Sequence, residues 1–99
     1  MTLRDLAHAR TGDKGETCNI SLVAYDPRNY PRLVREVTPA RVKTHFAGIV
    51  LGDVQRYELP QLHALNFVMT RALGGGVTRS LSLDAHGKSL SSLLLDLEI

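Results

Sequence analysis

Tryptophan is absent, cysteine occurs once, and the aromatic side chains are three tyrosines and two phenylalanines. A single cysteine excludes an internal disulfide. With no CxxC pair and no Cys/His cluster around Cys18, no zinc site is indicated either. The scarcity of aromatics excludes the stacking surface that RNA-binding modules use. No apolar run approaches membrane-spanning length, and the opening Met1-Thr2-Leu3-Arg4-Asp5 is no signal peptide. Strong charge of one sign is missing as well. The net charge is +2, and the basic residues are scattered. The nearest grouping, Arg28, Arg32, Arg35, Arg41 and Lys43, crosses a helical region and reads as a solvated face. These absences predict no nucleic-acid partner, no membrane partner, no metal and a reducing cytoplasm.

What is present fits an ordinary globular chain. The 99 residues are 43% apolar and 22% charged, which predicts one domain over 1–99. A chain of this size buries about two thirds of its unfolded surface. A large apolar face left over therefore points to a partner subunit.

The stretch around which the chain is organised is Gly52-Asp53-Val54-Gln55-Arg56-Tyr57-Glu58-Leu59-Pro60, followed by Gln61-Leu62-His63-Ala64-Leu65-Asn66-Phe67. Arg56 and Glu58 are two apart, so on a strand they share a face. Before it, Leu3 to Arg10 reads as a strand and Thr11 to Glu16 as a turn. Cys18 to Tyr25 is a second, nearly continuous apolar strand, expected at the centre of a sheet with both faces covered. Cys18 itself reads as a buried small hydrophobe.

Tyr30 to Val37 reads as a helix, after a loop at Asp26-Pro27-Arg28-Asn29. Thr38 caps a second helical piece with Pro39 in its first position and Gly48 at its end. Ile49 to Leu59 is the third strand, with Gly52 marking a bulge or a close backbone approach. Pro60 then opens the main helix, through Leu73, with Leu62, Leu65, Met69 and Leu73 at helical spacing. Gly74-Gly75-Gly76 ends it, Val77 to Leu83 is the fourth strand, and Asp84-Ala85-His86-Gly87 is a turn. Lys88 to Leu97 is a closing helix, although Leu93, Leu95, Leu97 and Ile99 also alternate as in a strand. The order β-β-α-β-α-β-α contains two crossovers. It predicts an α+β two-layer sandwich: a four-stranded mixed sheet with helices on one face.

Four places carry candidate chemistry. Arg10-Thr11-Gly12-Asp13-Lys14-Gly15 joins two glycines to two cations, the composition of an anion-holding loop, but it lacks the Walker spacing. As a bland alternative it is a hairpin tip. Gly74, Gly75 and Gly76, with Thr78, are either a tight return to the sheet or a backbone cradle. Asn66 lies on the apolar stripe of the main helix, where a buried amide must find a partner in the fold or in a ligand. Arg56 and Glu58 form a surface ion pair, or with His8 an acid–base set. His8 and Glu58 are thus the catalytic candidates, with Arg10 or Arg56 as anion holder.

Several of these stretches together resemble one family. Ala-Arg-Thr-Gly-Asp-Lys-Gly at 9–15 with Asn19, Gly-x-Val-x-Arg-Tyr-Glu-Leu-Pro at 52–60, Ala-Leu-Asn-Phe at 64–67 and Ala-Leu-Gly-Gly-Gly-Val-Thr at 72–78 are similar to the C-terminal domain of acyclic terpene utilisation protein A (AtuA). Gly87-Lys88 and the leucine-rich tail complete the likeness, which spans nearly the whole chain in order. Thr11 stands where the family more often has serine, so a hydroxyl is kept. The resemblance implies a ferredoxin-like fold and a link to bacterial breakdown of branched terpenoid acids as coenzyme A thioesters. It supplies no established catalytic residues. Larger members carry a big N-terminal domain, so a stand-alone chain implies a separately encoded large subunit.

Three readings follow. The first is an accessory domain without a resident cofactor, binding an anionic metabolite such as a coenzyme A thioester. Its ligand-binding residues would be Arg10, Thr11, Gly12, Asp13, Lys14, Gly15, Asn19, Arg56, Asn66, Gly74, Gly75, Gly76 and Thr78. The second is a small enzyme acting on a carboxylate or thioester. The third is an oligomerisation module, and a homo-oligomer is expected on the first reading too.

Overall fold

A computed structural model describes residues 1–14, 17–47, 50, 52–71 and 89–99. Its centre is the hairpin of β1 (Ala7–Lys14) and β2 (Thr17–Ala24), paired without slippage from Ala7 opposite Ala24 to Lys14 opposite Thr17. The first expected strand therefore begins later, because Leu3–Asp5 forms a single 3₁₀ turn. It also runs further, through Thr11-Gly12-Asp13-Lys14, which composition marks as a turn. Pairing along an apolar partner strand outweighs the local turn preference there.

β2 falls within a residue of its expected limits. Cys18, Ile20, Leu22 and Ala24 are buried while Asn19 is exposed, so the strand alternates and is not equally covered on both faces.

Two short helices follow, near where capping chemistry puts them. In α1 (Tyr30–Glu36), Pro31 occupies the first turn and Leu33 is buried. In α2 (Pro39–His45), the Thr38 hydroxyl accepts from the Arg41 backbone N–H at 3.2 Å, and Val42 is buried, as is Phe46 just beyond the helix. The following strand, β3 (Val54–Leu59), is shorter than the expected 49–59.

The largest departure lies next. Pro60–Leu62 is one 3₁₀ turn, His63 takes a left-handed conformation (φ 54°), and Ala64–Met69 is a strand, β4, instead of a helix. β3 and β4 form a hairpin closed at Leu59 opposite Ala64. Leu65, Phe67 and Met69 alternate at the strand period and are fully buried. Pairing with Leu22, Ile20 and Cys18 of β2 buries them.

The sheet is four-stranded in the order β1-β2-β4-β3, and every described pair is antiparallel. The expected mixed sheet with crossovers is corrected accordingly, and the described elements run β-β-α-α-β-β-α. The predicted fourth strand 77–83, the turn 84–87 and the glycine cluster 74–76 lie outside the described residues. The closing helix is present as α3 (Ser89–Leu95).

The helices do share one face of the sheet. Leu33, Val37, Val42, Phe46, Leu90, Leu94 and Leu97 join Ile20, Leu22, Leu65, Phe67 and Met69 in one core. Each such large side chain contributes about 1.5–3 kcal/mol on burial. The two ends of the chain are tied together over this layer: Leu3 N–H donates to Leu97 O and Ile99 N–H to Met1 O, both at 3.0 Å.

Gly52 fixes the start of the β3–β4 hairpin. Its N–H donates to Thr70 O at 3.1 Å, and Thr70 N–H donates to Asp53 O at 3.0 Å. A Cβ at position 52 would stand 2.4 Å from Thr70 Oγ1 and 2.5 Å from Thr70 O. The close backbone approach expected from the sequence is therefore the reason for this glycine.

Candidate functional site

The register divides the polar residues of the sheet between two faces, since successive strand residues point to opposite sides. On the helix-covered face, Thr11, Arg56 and Glu58 all have partners. The Thr11 hydroxyl accepts from Ser91 N–H at 3.0 Å, capping the first turn of α3 from a different strand. A serine at position 11 keeps that bond.

Arg56 Nη1 donates to Val34 O at 2.7 Å and Val37 O at 3.0 Å, while Nη2 meets Glu58 Oε2 at 3.2 Å. Arg56 thus satisfies carbonyls at the C-terminal end of α1, where a cation also suits the helix dipole. Its side chain is only 15% exposed.

The opposite face is open among the described residues. Its cross-strand rows are His8–Val23–Ala64–Leu59, Arg10–Ser21–Asn66–Tyr57 and Gly12–Asn19–Val68–Gln55. The middle row is the candidate site. Arg10 is exposed and makes no hydrogen bond or ion pair among the described residues. Asn66 Oδ1 is buried and has no hydrogen-bond partner. An orphaned buried acceptor of this kind costs about 1–3 kcal/mol. Ser21 lies between them in the row, and strand spacing separates the Arg10 and Asn66 backbones by about 10 Å.

The flanks are aromatic and polar. The His8 and Tyr25 rings lie in tilted contact, with centroids 5.3 Å apart. Tyr57, half-exposed at the far end of the row, donates its hydroxyl to Gln55 Oε1 at 2.8 Å. A Cβ at Gly12 would come within 3.2 Å of Asn19 Oδ1, so this glycine leaves room for the Asn19 side chain. The chemistry on offer is a free guanidinium for a carboxylate or phosphate, an unfilled amide oxygen for an N–H or O–H donor, and flat rings at the margins.

The sequence-derived candidates therefore separate. Arg10, Gly12, Asn19, Asn66 and His8 share the open face. Thr11, Arg56 and Glu58 share the other, so His8 and Glu58 are on opposite sides of the sheet. Asp13 and Lys14 close β1 opposite Cys18 and Thr17. Gly15, Gly74, Gly75, Gly76 and Thr78 lie outside the described residues. Ser21, Tyr25 and Gln55 join the site from outside the candidate set, and Tyr57, which accompanies Arg56 and Glu58 in the sequence, faces away from both. The signal for all four is the alternation of Leu65-Asn66-Phe67-Val68-Met69, which reads as a strand once Asn66 is set against Ser21 and Tyr57. Among the described residues no group of three or more His, Cys, Asp and Glu side chains is placed to hold a metal.

A second orphan lies at the start of α1. Tyr30 Oη is buried, and the nearby Leu59 amide does not complete a hydrogen bond to it. Burial pushes the Tyr30 phenol up, with the Glu58 charge adding to the effect. The Leu59 amide and the Arg56 guanidinium offset part of it.

The described residues thus form an α+β sandwich, with helices on one side of an antiparallel sheet and an open polar face on the other. The chain belongs to the AtuA ferredoxin-like domain family, whose model matches residues 1–99. A ferredoxin-like domain is built as β-α-β-β-α-β, and the described strands here follow a different order. No curated protein and no solved structure matches the chain. No helix among the described residues is long and apolar enough to cross a membrane.

Proposed function

We propose that this is an accessory, ligand-binding domain that holds an anionic metabolite on the open face of its sheet. The observation that carries the reading is one cross-strand row in which Arg10 has no partner among the described residues and Asn66 keeps a buried, unfilled oxygen. A ligand with an anionic group and an N–H or O–H donor about 10 Å along would answer both.

A coenzyme A thioester of a branched or terpenoid acid has this chemistry: phosphates for Arg10, amide N–H groups for Asn66, and an adenine ring for Tyr25, His8 or Tyr57. The domain would work in the cytoplasm together with a larger partner of AtuA type. Its contribution would be binding and presentation. An enzymatic reading gains no support, because its candidate acid and base lie on opposite faces.

The test is a thermal-shift screen of the purified chain against coenzyme A, several acyl-coenzyme A compounds and small carboxylates. A ligand at 100 times its dissociation constant adds about 2.7 kcal/mol to a native state it binds alone. A shift with coenzyme A compounds that is absent with the carboxylates supports the reading. No shift with any of them contradicts it.

A further inference from the structure

β3 is an outer strand of the described sheet, and β4 covers only one of its edges. The hydrogen bonds from Gly52 to Thr70 and from Thr70 to Asp53 fix the phase of the hairpin. Alternation along an antiparallel pair then turns the N–H and C=O groups of Gln55, Tyr57 and Leu59 toward β4. Those of Val54, Arg56 and Glu58 point outward. No described hydrogen bond outside the helices and strands uses these outward groups.

We infer that this edge pairs with β3 of a second copy of the chain, antiparallel about a two-fold axis at Tyr57, joining the two sheets into one. Charge selects both the partner and the register. With Tyr57 opposite the partner's Tyr57, Arg56 falls opposite the partner's Glu58, and the symmetric pair repeats the match. A slip of two residues, the smallest that keeps the outward hydrogen-bond phase, moves the two-fold axis to Arg56 or to Glu58 and sets like charges opposite each other, which disfavours it. Only a second copy meets this palindromic Arg-Tyr-Glu pattern twice, as an isologous interface requires.

Tyr57 is 50% exposed and Leu59 38%, and Glu58 49%. Arg56 is only 15% exposed, its Nη1 stays on Val34 O and Val37 O, and its Nη2, already beside its own Glu58, is the group that would meet the partner's Glu58. In this register Leu59 covers the partner's Gln55, and the two tyrosines face each other across a non-hydrogen-bonded pair, with Cα atoms about 4.5 Å apart. The inference stands apart from the ligand reading, since no residue of the Arg10–Asn66 pair is needed for it.

Sedimentation velocity over a range of concentrations tests it first. The expected result is a shift from the 10.9 kDa monomer toward twice that mass as concentration rises. Glu58→Arg should weaken self-association by about tenfold, since it sets arginine opposite arginine twice. Glu58→Pro should abolish association and leave the fold intact, because the lost N–H serves only the outer edge.

Cross-linking tests the register. Tyr57→Cys should oxidise to a disulfide-linked dimer, the expected Cα separation lying within disulfide range. Gln55→Cys, placed opposite Leu59, should not. A monomer at every concentration overturns the inference, and the Arg56–Glu58 pattern then only guards the edge against pairing. A dimer that ignores both Glu58 variants, or that cross-links equally through either position, overturns it too.

Discussion

The two faces of the sheet are made from the same four strands, residue by residue in alternation, yet they treat polar groups in opposite ways. On the helix-covered face each described polar side chain is committed to a neighbour. Thr11 caps α3, and Arg56 holds two carbonyls of α1 while pairing with Glu58. On the open face Arg10 has no partner among the described residues, and Asn66 Oδ1 stays unfilled. Polar groups that are satisfied inside the molecule stabilise it. A buried one left unsatisfied, as Asn66 Oδ1 is, costs stability, and a ligand or partner is a physical way to recover it, whereas water serves the exposed Arg10. An arginine near the core thus serves the architecture, whereas Arg10 is left available to a ligand, and residue type alone does not separate the two.

The comparison is broken most severely where both faces depend on one backbone contact. Gly52→Ala drives a Cβ into Thr70. It should cost about 3 kcal/mol or more by overpacking, and both the stability and the open-face row should be lost together in denaturant titration. Arg56→Ala comes next. It strips a charged donor from Val34 O and Val37 O, and about 2–3 kcal/mol should disappear from the unfolding free energy. Any ligand affinity of the open face should survive.

Thr11→Val removes the cap on α3 and should lower stability by about 1 kcal/mol, while Thr11→Ser stays near the parent.

Smaller again is Tyr30→Phe, which removes a buried hydroxyl without a partner. Up to about 1 kcal/mol of added stability at neutral pH is expected in urea unfolding. Its alkaline behaviour gives a second reading. The Tyr30 phenol is raised in the folded protein, so the folded state binds this proton more tightly than the unfolded chain does. The stability this provides is complete below the ordinary tyrosine value of 10.0 and is lost as pH rises through the folded value. Tyr30→Phe should flatten that loss. The smallest effect is expected from Arg10→Ala, within about 0.5 kcal/mol of the parent.

Much of this organisation is legible in the sequence, and the part that is not has a definite cause. β2, α1, α2 and α3 follow from apolar runs, prolines at helix starts and the Thr38 cap, all of which act over a few residues. The pairing of Arg56 with Glu58 on one face follows from their spacing. The segment after Pro60 does not.

There Leu62, Leu65 and Met69 fit a helix while Leu65, Phe67 and Met69 fit a strand, and only the distant β2 decides between them. Pro60 marks a turn start correctly but opens one 3₁₀ turn, because His63 adopts a left-handed conformation and the chain reverses. Asn66 is recognisable in the sequence as a polar group needing a partner. Its place beside Ser21, in the row that begins at Arg10, depends on a register that no local pattern encodes. Arg56 was a candidate for the wrong face for the same reason: the helix carbonyls it holds belong to residues 19 and 22 positions away.

The most direct measurement compares Arg10→Ala with Arg56→Ala in one experiment: the melting temperature of each, alone and with a saturating coenzyme A compound that shifts the parent protein. The expected result is a crossed pattern. Arg10→Ala melts like the parent and loses the ligand shift, while Arg56→Ala melts earlier and keeps it. A ligand shift that survives in Arg10→Ala and vanishes in Arg56→Ala would contradict the division between the two faces.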